Sequence, residues 1–364
     1  MHIYYDYQIF ALQNVGGISR YFIELATRMP KYFPEIKTTV IAPVHINEYL
    51  DSSSVDTIGK RVPAFPGKHY VLPSANLSAS RFFLNRLNPD IFHETYYSAR
   101  SQSISVPRIL TVYDMIHEKF PEQFQGKDLG IPALKAAAVA RADHLITISS
   151  KTRDDLIQFL AVSPDKITVI PLASSFTVIP QEVEKQSIEK PYLLYVGLRQ
   201  GVKNFSAFLS AYSHSKVLQS DFDLLCVGGG KFTSSELQVI QKAGLGKKVK
   251  QVQASDALLV TIYSGATLFV YPSLYEGFGL PLLEAMRCGC PVVCSGTSSM
   301  PEIAGDAALY FDPNSEDDIR TVIEDTVQSQ NTLTTLQASG YKREKLFSWR
   351  RCVQQTAELY RRVL

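Results

Sequence analysis

The stretch TLFVYPSLYEGFGLPLLEAMRCGCPVVCS, residues 267–295, contains one complete repeat of a parallel sheet. TLFVYP (267–272) and PVVCS (291–295) are short β-rich runs bounded by turn residues, and an amphipathic helix begins between them near Leu280. Glu276 falls in the loop that leaves the first strand. Glu284 falls in the helix, just over a turn inside, with seven residues between the two.

The same rhythm extends in both directions. YLLYVG (192–197), DLLCVGG (223–229), VKQVQ (249–253) and ALYF (308–311) are further strand candidates, with helices starting near Asn204, Thr233, Asp256, Leu280 and Ser299. The first half repeats the pattern with IYY (3–5), TTVIA (38–42), DIFH (90–93), RILTVY (108–113), HLITIS (144–149) and ITVIP (167–171). ISRYFIELATRM, PALKAAAVARA and SKTRDDLIQFLA supply helices between them. Strands alternating with helices predict a doubly wound α/β fold with parallel sheets. SSFTVIPQEVEKQSIEKP (174–191) is polar, holds two prolines and lacks a period, so it reads as an interdomain connection with the boundary near residue 180.

Composition agrees with two domains. The 364 residues are 45% hydrophobic and 20% charged, which excludes a disordered tail or a small stapled domain. Thirty-seven Lys and Arg against 35 Asp and Glu leave a net charge of +2, too little for a dedicated nucleic-acid binder. MHIYYDYQIF lacks the basic region of a secretory leader, and no apolar run is long enough to span a bilayer, so the expectation is a soluble, cytoplasmic protein. The five cysteines, Cys226, Cys288, Cys290, Cys294 and Cys352, are odd in number and lack zinc-like spacing, which argues against disulfides and a metal site. SWRRCVQQTAELYRRVL places Val353, Ala357, Tyr360 and Leu364 on one helical face. From Lys342 onward seven basic residues oppose two acidic ones, read either as a solvated helix face or as a patch for a membrane or polyanion.

Ligands of open parallel sheets bind beyond the C-terminal ends of the strands. Four such loops carry candidates. After IYY, Gly16 and Gly17 precede a helix and permit either an anion approach or a tight turn. After RILTVY, Asp114 and His117 either face a cleft or serve as a turn cap and a half-buried imidazole. After YLLYVG, Arg199 and Lys203 offer a guanidinium and an ammonium suited to a diphosphate. Gly228–Gly230 fits neither a dinucleotide fingerprint nor a Walker loop. In the fourth loop, Gly277 and Gly279 keep the chain close to a ligand, and Glu276 and Glu284 can accept hydrogen bonds from hydroxyls. Carboxylates for hydroxyls beside cations for phosphates suit a nucleotide sugar.

The Glu276 to Glu284 segment resembles the signature of the retaining glycosyltransferases of family four. GGISRYFIEL, YDMIHEKFPE, ITISSKTRDDL, KITVIPLA, YVGLRQGVKN, LCVGGG and MPEIAGDAALYFDP agree with it in order, across nearly the whole chain. The resemblance implies a GT-B fold: two Rossmann-like domains with parallel sheets facing a central cleft. It divides the chain into 1–180 (acceptor side), 181–345 (donor side) and a helix, 346–364, that crosses back to the first domain. It also implies that Glu284 binds the nucleotide ribose, that Glu276 binds hydroxyls of the transferred sugar, and that amides from Gly277, Phe278, Gly279 and Leu280 meet sugar and phosphates. Arg199 and Lys203 would neutralise the diphosphate, which Gly16 and Gly17 approach from the other domain.

Two positions depart from the family pattern. Tyr113 stands where many relatives have a histidine, leaving Tyr113, Asp114 and His117 as alternatives for contact with the sugar. Gln251, Val252 and Gln253 stand for the base contacts, in a segment without the usual glycine. The implied reaction transfers a hexose, mannose from GDP-mannose, to a hydroxyl of a glycan or lipid-linked acceptor in polysaccharide biosynthesis. The alternatives are a UDP- or dTDP-sugar donor or a non-enzymatic two-lobed sugar-binding protein, and a front-face or a covalent route. No cofactor or metal is required if protein cations hold the diphosphate. Asp221 and Asp223 resemble a metal-binding pair but precede their strand. Partners are a nucleotide sugar and a saccharide acceptor without nucleic acid, with peripheral contact at the inner face of a membrane as one use of the basic segment.

Overall fold

The computed structural model describes residues 1–176 and 191–364. Among them, two parallel sheets form. The first contains β1 (His2–Tyr5), β2 (Lys37–His45), β3 (Thr57–Arg61), β4 (Ile91–Glu94), β5 (Arg108–Val112), β6 (His144–Thr147) and β7 (Ile167–Val169), in the order β3-β2-β1-β4-β5-β6-β7. The second contains β8 (Tyr192–Val196), β9 (Asp223–Val227), β10 (Val249–Val252), β11 (Leu268–Tyr271), β12 (Val292–Ser295) and β13 (Leu309–Phe311), in the order β10-β9-β8-β11-β12-β13. The inner strands read as near-continuous apolar runs because helices cover both faces. In each sheet the winding reverses once, between β1 and β4 and between β8 and β11.

Residues Met1–Leu172 and Trp349–Leu364 form one compact unit and Ala173–Ser348 another. The expected boundary near residue 180 lies outside the described residues. The sequence pattern does not show β3, because at the sheet edge TIGKR has no buried face to leave an alternating pattern. The helices Lys68–Leu87, Glu316–Gln328 and Gln330–Glu344 are additions of the structure to the sequence pattern. No helix among the described residues is long and apolar enough to cross a membrane.

The last helix, Trp349–Val363, packs in the first unit against Gly17–Tyr32. Val353, Ala357 and Tyr360 are fully buried along its inner face. Leu364, placed on that stripe from spacing, instead lies beyond the helix and is 62% exposed. Several of the basic side chains have partners within the unit: Arg361 pairs with Glu35, Arg362 donates to Thr168 at 2.7 Å, and Arg350 lies over the Tyr32 ring. That use favours the solvated-face reading over a free basic patch.

The helix is fixed to the sheet by a buried polar chain. His93 Nδ1 lies 2.7 Å from the Tyr360 hydroxyl and its Nε2 lies 2.9 Å from Thr111 Oγ1, while Tyr360 also meets the Tyr5 hydroxyl at 3.3 Å. Burial pushes the His93 imidazole down from its ordinary 6.5 to about 3, so it is neutral when folded. Between those values the unfolded chain binds a proton that the folded chain does not, so stability falls as pH drops below 6.5. Asp6 works the other way, since burial and then the Glu94 charge raise it to about 6. Comparing wild type with His93→Gln cancels the Asp6 contribution. From pH 6.5 to 5, wild type should lose about 2 kcal/mol more than the variant. Urea unfolding followed by fluorescence of Trp349, the single tryptophan, measures this difference. Equal losses would show that His93 does not titrate as described.

Candidate functional site

In the second unit, the loops leaving β8 and β11 meet at the reversal point. Crevices at such points are where open α/β sheets hold ligands, because the helices on either side diverge there. The β8 loop ends in the short turn Gly201–Lys203, pinned by Asn204, whose amide donates to the Pro272 and Pro313 carbonyls at 3.1 and 2.8 Å. Lys203 Nζ thereby reaches both carboxylate oxygens of Glu276, at 2.6 and 2.8 Å. The Leu274 amide also donates to the Val202 carbonyl at 2.7 Å, tying the two loops together.

Glu276 is held from a third strand exit. After β12, Ser298 and Ser299 both donate to the Glu276 carbonyl, at 2.8 and 2.9 Å. Ser299 also donates to the Phe278 carbonyl at 2.9 Å, and the Glu276 amide donates back to Ser298 Oγ at 3.2 Å. Sequence reasoning missed these serines. The available signal was the cluster of small hydroxyl residues Ser295, Thr297, Ser298 and Ser299 at the exit of the strand beside β11.

Gly279 then starts the helix Leu280–Arg287 with φ of 103°, a conformation that a side chain would strain. The positive end of this helix and the Lys203 ammonium favour an anion near the loop. The Phe278 ring is buried against Phe347, leaving its backbone to line the loop beside Gly277 and Leu280. Glu284 lies one turn in, half-buried, and accepts from the Tyr263 hydroxyl at 3.3 Å. Carboxylate oxygens at two depths and a cation beside them can bind hydroxyls and a phosphate together.

Arg199 has another task. Its side chain is 2% exposed, with Nε on Glu236 at 2.7 Å, Nη1 on the Gly228 carbonyl at 2.7 Å, and Nη2 on the Gly230 and Lys231 carbonyls. Glu236 is also the far half of a capping box with Thr233. Burial raises the Glu236 carboxyl, but bonds from Arg199 and Thr233 outweigh it and hold the group low. The guanidinium therefore locks the Gly228–Gly230 turn, and of the two cations expected for a diphosphate only Lys203 stands at the β8/β11 reversal. Four residues of spacing cannot reveal which cation turns inward.

The remaining candidates are dispersed. Gln251 and Val252 lie in the edge strand β10, followed by Gln253, and Gln251 Nε2 donates to the Val252 carbonyl. Asp223 starts β9, at the opposite end from the ligand loops, and pairs with Lys250 at 2.6 Å. The cysteines are free and buried.

In the first unit, Gly16 precedes the helix Gly17–Tyr32, and a Cβ there would clash with Gln13 Oε1. That oxygen accepts from the Ser19 amide, so Gln13 caps the helix across Gly16. Asp114 caps its own turn through the Ile116 amide at 3.1 Å and lies 3.9 Å from Lys135 Nζ. Lys135 is fully buried and also bonds Glu118 at 2.7 Å. His117 packs on Phe124, and burial, with Lys135 nearby, lowers its pKa, although Asp114 acts in the opposite direction. Tyr113 is buried and donates to the Thr95 carbonyl at 2.9 Å, which leaves Asp114 and His117 as the accessible pair of the three.

The two cations should separate by experiment. Arg199→Ala strips the Glu236 pair and the loop carbonyls and should cost about 3 kcal/mol. Lys203→Ala, at a partly exposed pair, should cost about 1 kcal/mol. Urea unfolding by far-ultraviolet circular dichroism checks the order, and equal costs would contradict it.

Comparison with known proteins agrees with this geometry. Residues 15–173 match the family model for Glycosyltransferase Family 4, and residues 179–343 match that for Glycosyl transferases group 1. The O-antigen chain mannosyltransferase B of Escherichia coli is 33% identical over 231 residues, 60% of this chain and 61% of that protein. The O-antigen chain mannosyltransferase RfbU of Salmonella typhimurium is 29% identical over 244 residues, 66% of this chain and 65% of that protein. The chain thus spans less than two thirds of either relative. In fold, it is similar to Anabaena HepE in complex with UDP-glucose, with a TM-score of 0.75, 16% identity and 99% of each chain covered. Two parallel sheets of this topology, matched in turn by the two family models, place the chain in the group 1, family 4 glycosyltransferases of the GT-B fold.

Proposed function

We propose that the protein is a retaining, metal-independent glycosyltransferase that moves mannose from GDP-mannose to a hydroxyl of a glycan or lipid-linked acceptor in polysaccharide biosynthesis. The observation that carries this reading is the Lys203–Glu276 pair, at the reversal of the second sheet and in the loop that leads into the helix holding Glu284. Glu276 would accept hydrogen bonds from the transferred sugar, and Glu284 from the ribose. Lys203 and the positive end of the Leu280–Arg287 helix would stabilise the charge that develops on the leaving diphosphate. Such stabilisation needs no metal if the protein's own charges hold the diphosphate. The ion pair also holds each partner until donor hydroxyls and phosphate compete for it. That arrangement keeps both side chains oriented at little reorganisation cost.

Mannose is favoured by the names of the two bacterial relatives. A UDP-sugar donor is the second reading, favoured by the likeness to a fold neighbour bound to UDP-glucose. Thermal shifts with GDP, UDP and dTDP rank the bases, because stabilisation follows ligand concentration over Kd. GDP should give the largest shift, and a larger shift with UDP or dTDP would move the reading to that donor. With the donor so identified, Glu276→Ala and Lys203→Ala should each cut sugar transfer at least about 100-fold, a loss of some 2.7 kcal/mol of transition-state stabilisation. Near-normal turnover in both would overturn the assignment.

A further inference from the structure

The helix Lys68–Leu87 turns the usual amphipathic pattern around. Surface helices bury their apolar stripe and present a polar one to water. Here the face that packs on β2 centres on Asn76, fully buried, with Leu72, Ser80 and Leu84 beside it. β2 slips register between Ile41 and Val44, and Asn76 completes the Val44 backbone there, accepting from its amide and donating to its carbonyl, both at 2.8 Å. The opposite face carries Val71, Ala75, Ser78 and Phe82 at the spacing of one helical stripe, all exposed. Val71 is 55% exposed and Phe82 52%. Phe65, whose carbonyl accepts from the Lys68 amide at the helix entry, is 37% exposed.

Positive charge edges that stripe on both sides. Lys68 and Arg86 fall along one edge and Arg81 along the other. The Arg86 guanidinium lies 3.9 Å over the Phe82 ring, so ring and cation form one surface. Between Asp56 and Asp90 the chain has five Lys and Arg and no acidic residue. Arg61 pairs with Glu48 and Asp51, but Lys60, Lys68 and Arg81 have no ion-pair partner among the described residues. We infer that this face, together with Phe65, docks the protein on an anionic lipid surface, with Val71 and Phe82 entering the headgroup region and the cations meeting lipid phosphates. An apolar stripe edged by Lys and Arg is what a helix lying in a bilayer interface needs. A soluble polyanion would use the cations but leave the stripe in water, and a second copy of this face would set like charges against one another. The C-terminal helix is less suited, since it spends Arg361 and Arg362 on partners within its own unit. Lipid docking by the Lys68–Leu87 helix requires nothing of the transfer chemistry, so vesicle binding decides it whether or not the protein moves a sugar.

The test floats the full chain with vesicles of phosphatidylcholine alone or with about 30% phosphatidylglycerol. Val71→Ser with Phe82→Ser removes the stripe, Lys68→Glu with Arg81→Glu reverses its edges, and Lys342→Glu with Lys345→Glu, at exposed positions near the C-terminal helix, is the control. Wild type and control should bind the mixed vesicles, and each helix variant should bind at least about tenfold more weakly with unchanged circular dichroism. Salt at about 0.5 M should weaken wild-type binding as well. A nitroxide on Ser78→Cys reads the same contact without altering stripe or cations, and the native cysteines are buried and do not compete for the label. Mixed vesicles should raise its accessibility to oxygen and lower that to a polar nickel chelate. Absence of binding to the mixed vesicles, equal binding to phosphatidylcholine alone, loss in the control pair only, or an unchanged nitroxide would each overturn the proposal. A wild-type dimer that Val71→Ser with Phe82→Ser dissolves would also overturn it, by assigning the stripe to a second copy.

Discussion

A parallel sheet wound outward in both directions from an inner strand must send two adjacent connections to opposite faces, and the gap between them cannot be filled by either helix. This chain contains that constraint twice. In the second unit the gap between β8 and β11 is furnished with Lys203 and Glu276, joined across it. In the first unit the gap between β1 and β4 opens as a cavity edged by tyrosines. Chemistry is concentrated at these positions because the sheet delivers loop ends there from several strands at once.

Holding polar groups in such gaps requires supporting bonds, and the structure separates support from contact. Arg199 spends its guanidinium on Glu236 and a run of backbone carbonyls, so it shapes the loop beside the site. Ser298 and Ser299 clamp the backbone on both sides of Gly277, and Asn204 anchors the turn that aims Lys203. In the first unit Glu94 is fully buried between Arg108 and Arg141, directly before the tyrosines at the β4 exit. Breaking a buried pair of this kind is far more damaging than removing a surface one, so loops that rest on such pairs are held rigidly.

Much of the architecture was legible because the inner strands are buried on both faces and stand out as short apolar runs between turn residues. β3 escaped because its residues are mostly exposed at an edge, and the long helix Lys68–Leu87 because Pro73 and scattered polar residues blur its period. The glutamates and Lys203 could be named from strand exits alone. The different fate of Arg199 could not, since the direction of a side chain in a loop is set by the neighbouring turn, here Gly228 to Lys231. Tyr96 and Tyr97 gave no signal, because adjacent tyrosines in a loop have the same composition whether they fill a core or line a cavity. Leu364 shows the converse error, since spacing extends a stripe past the residue where the helix stops.

The central claim is that the β8, β11 and β12 exits together form the nucleotide-sugar site. Hydrogen–deuterium exchange of the full chain, with and without saturating GDP and UDP, tests it without assuming which sugar moves. The account predicts slowed exchange confined in the second unit to residues 198–204, 273–285 and 297–299, deepest with the preferred nucleotide. Protection centred on β10 or on the Asp221–Asp223 end of β9, with none on these three loops, would contradict it.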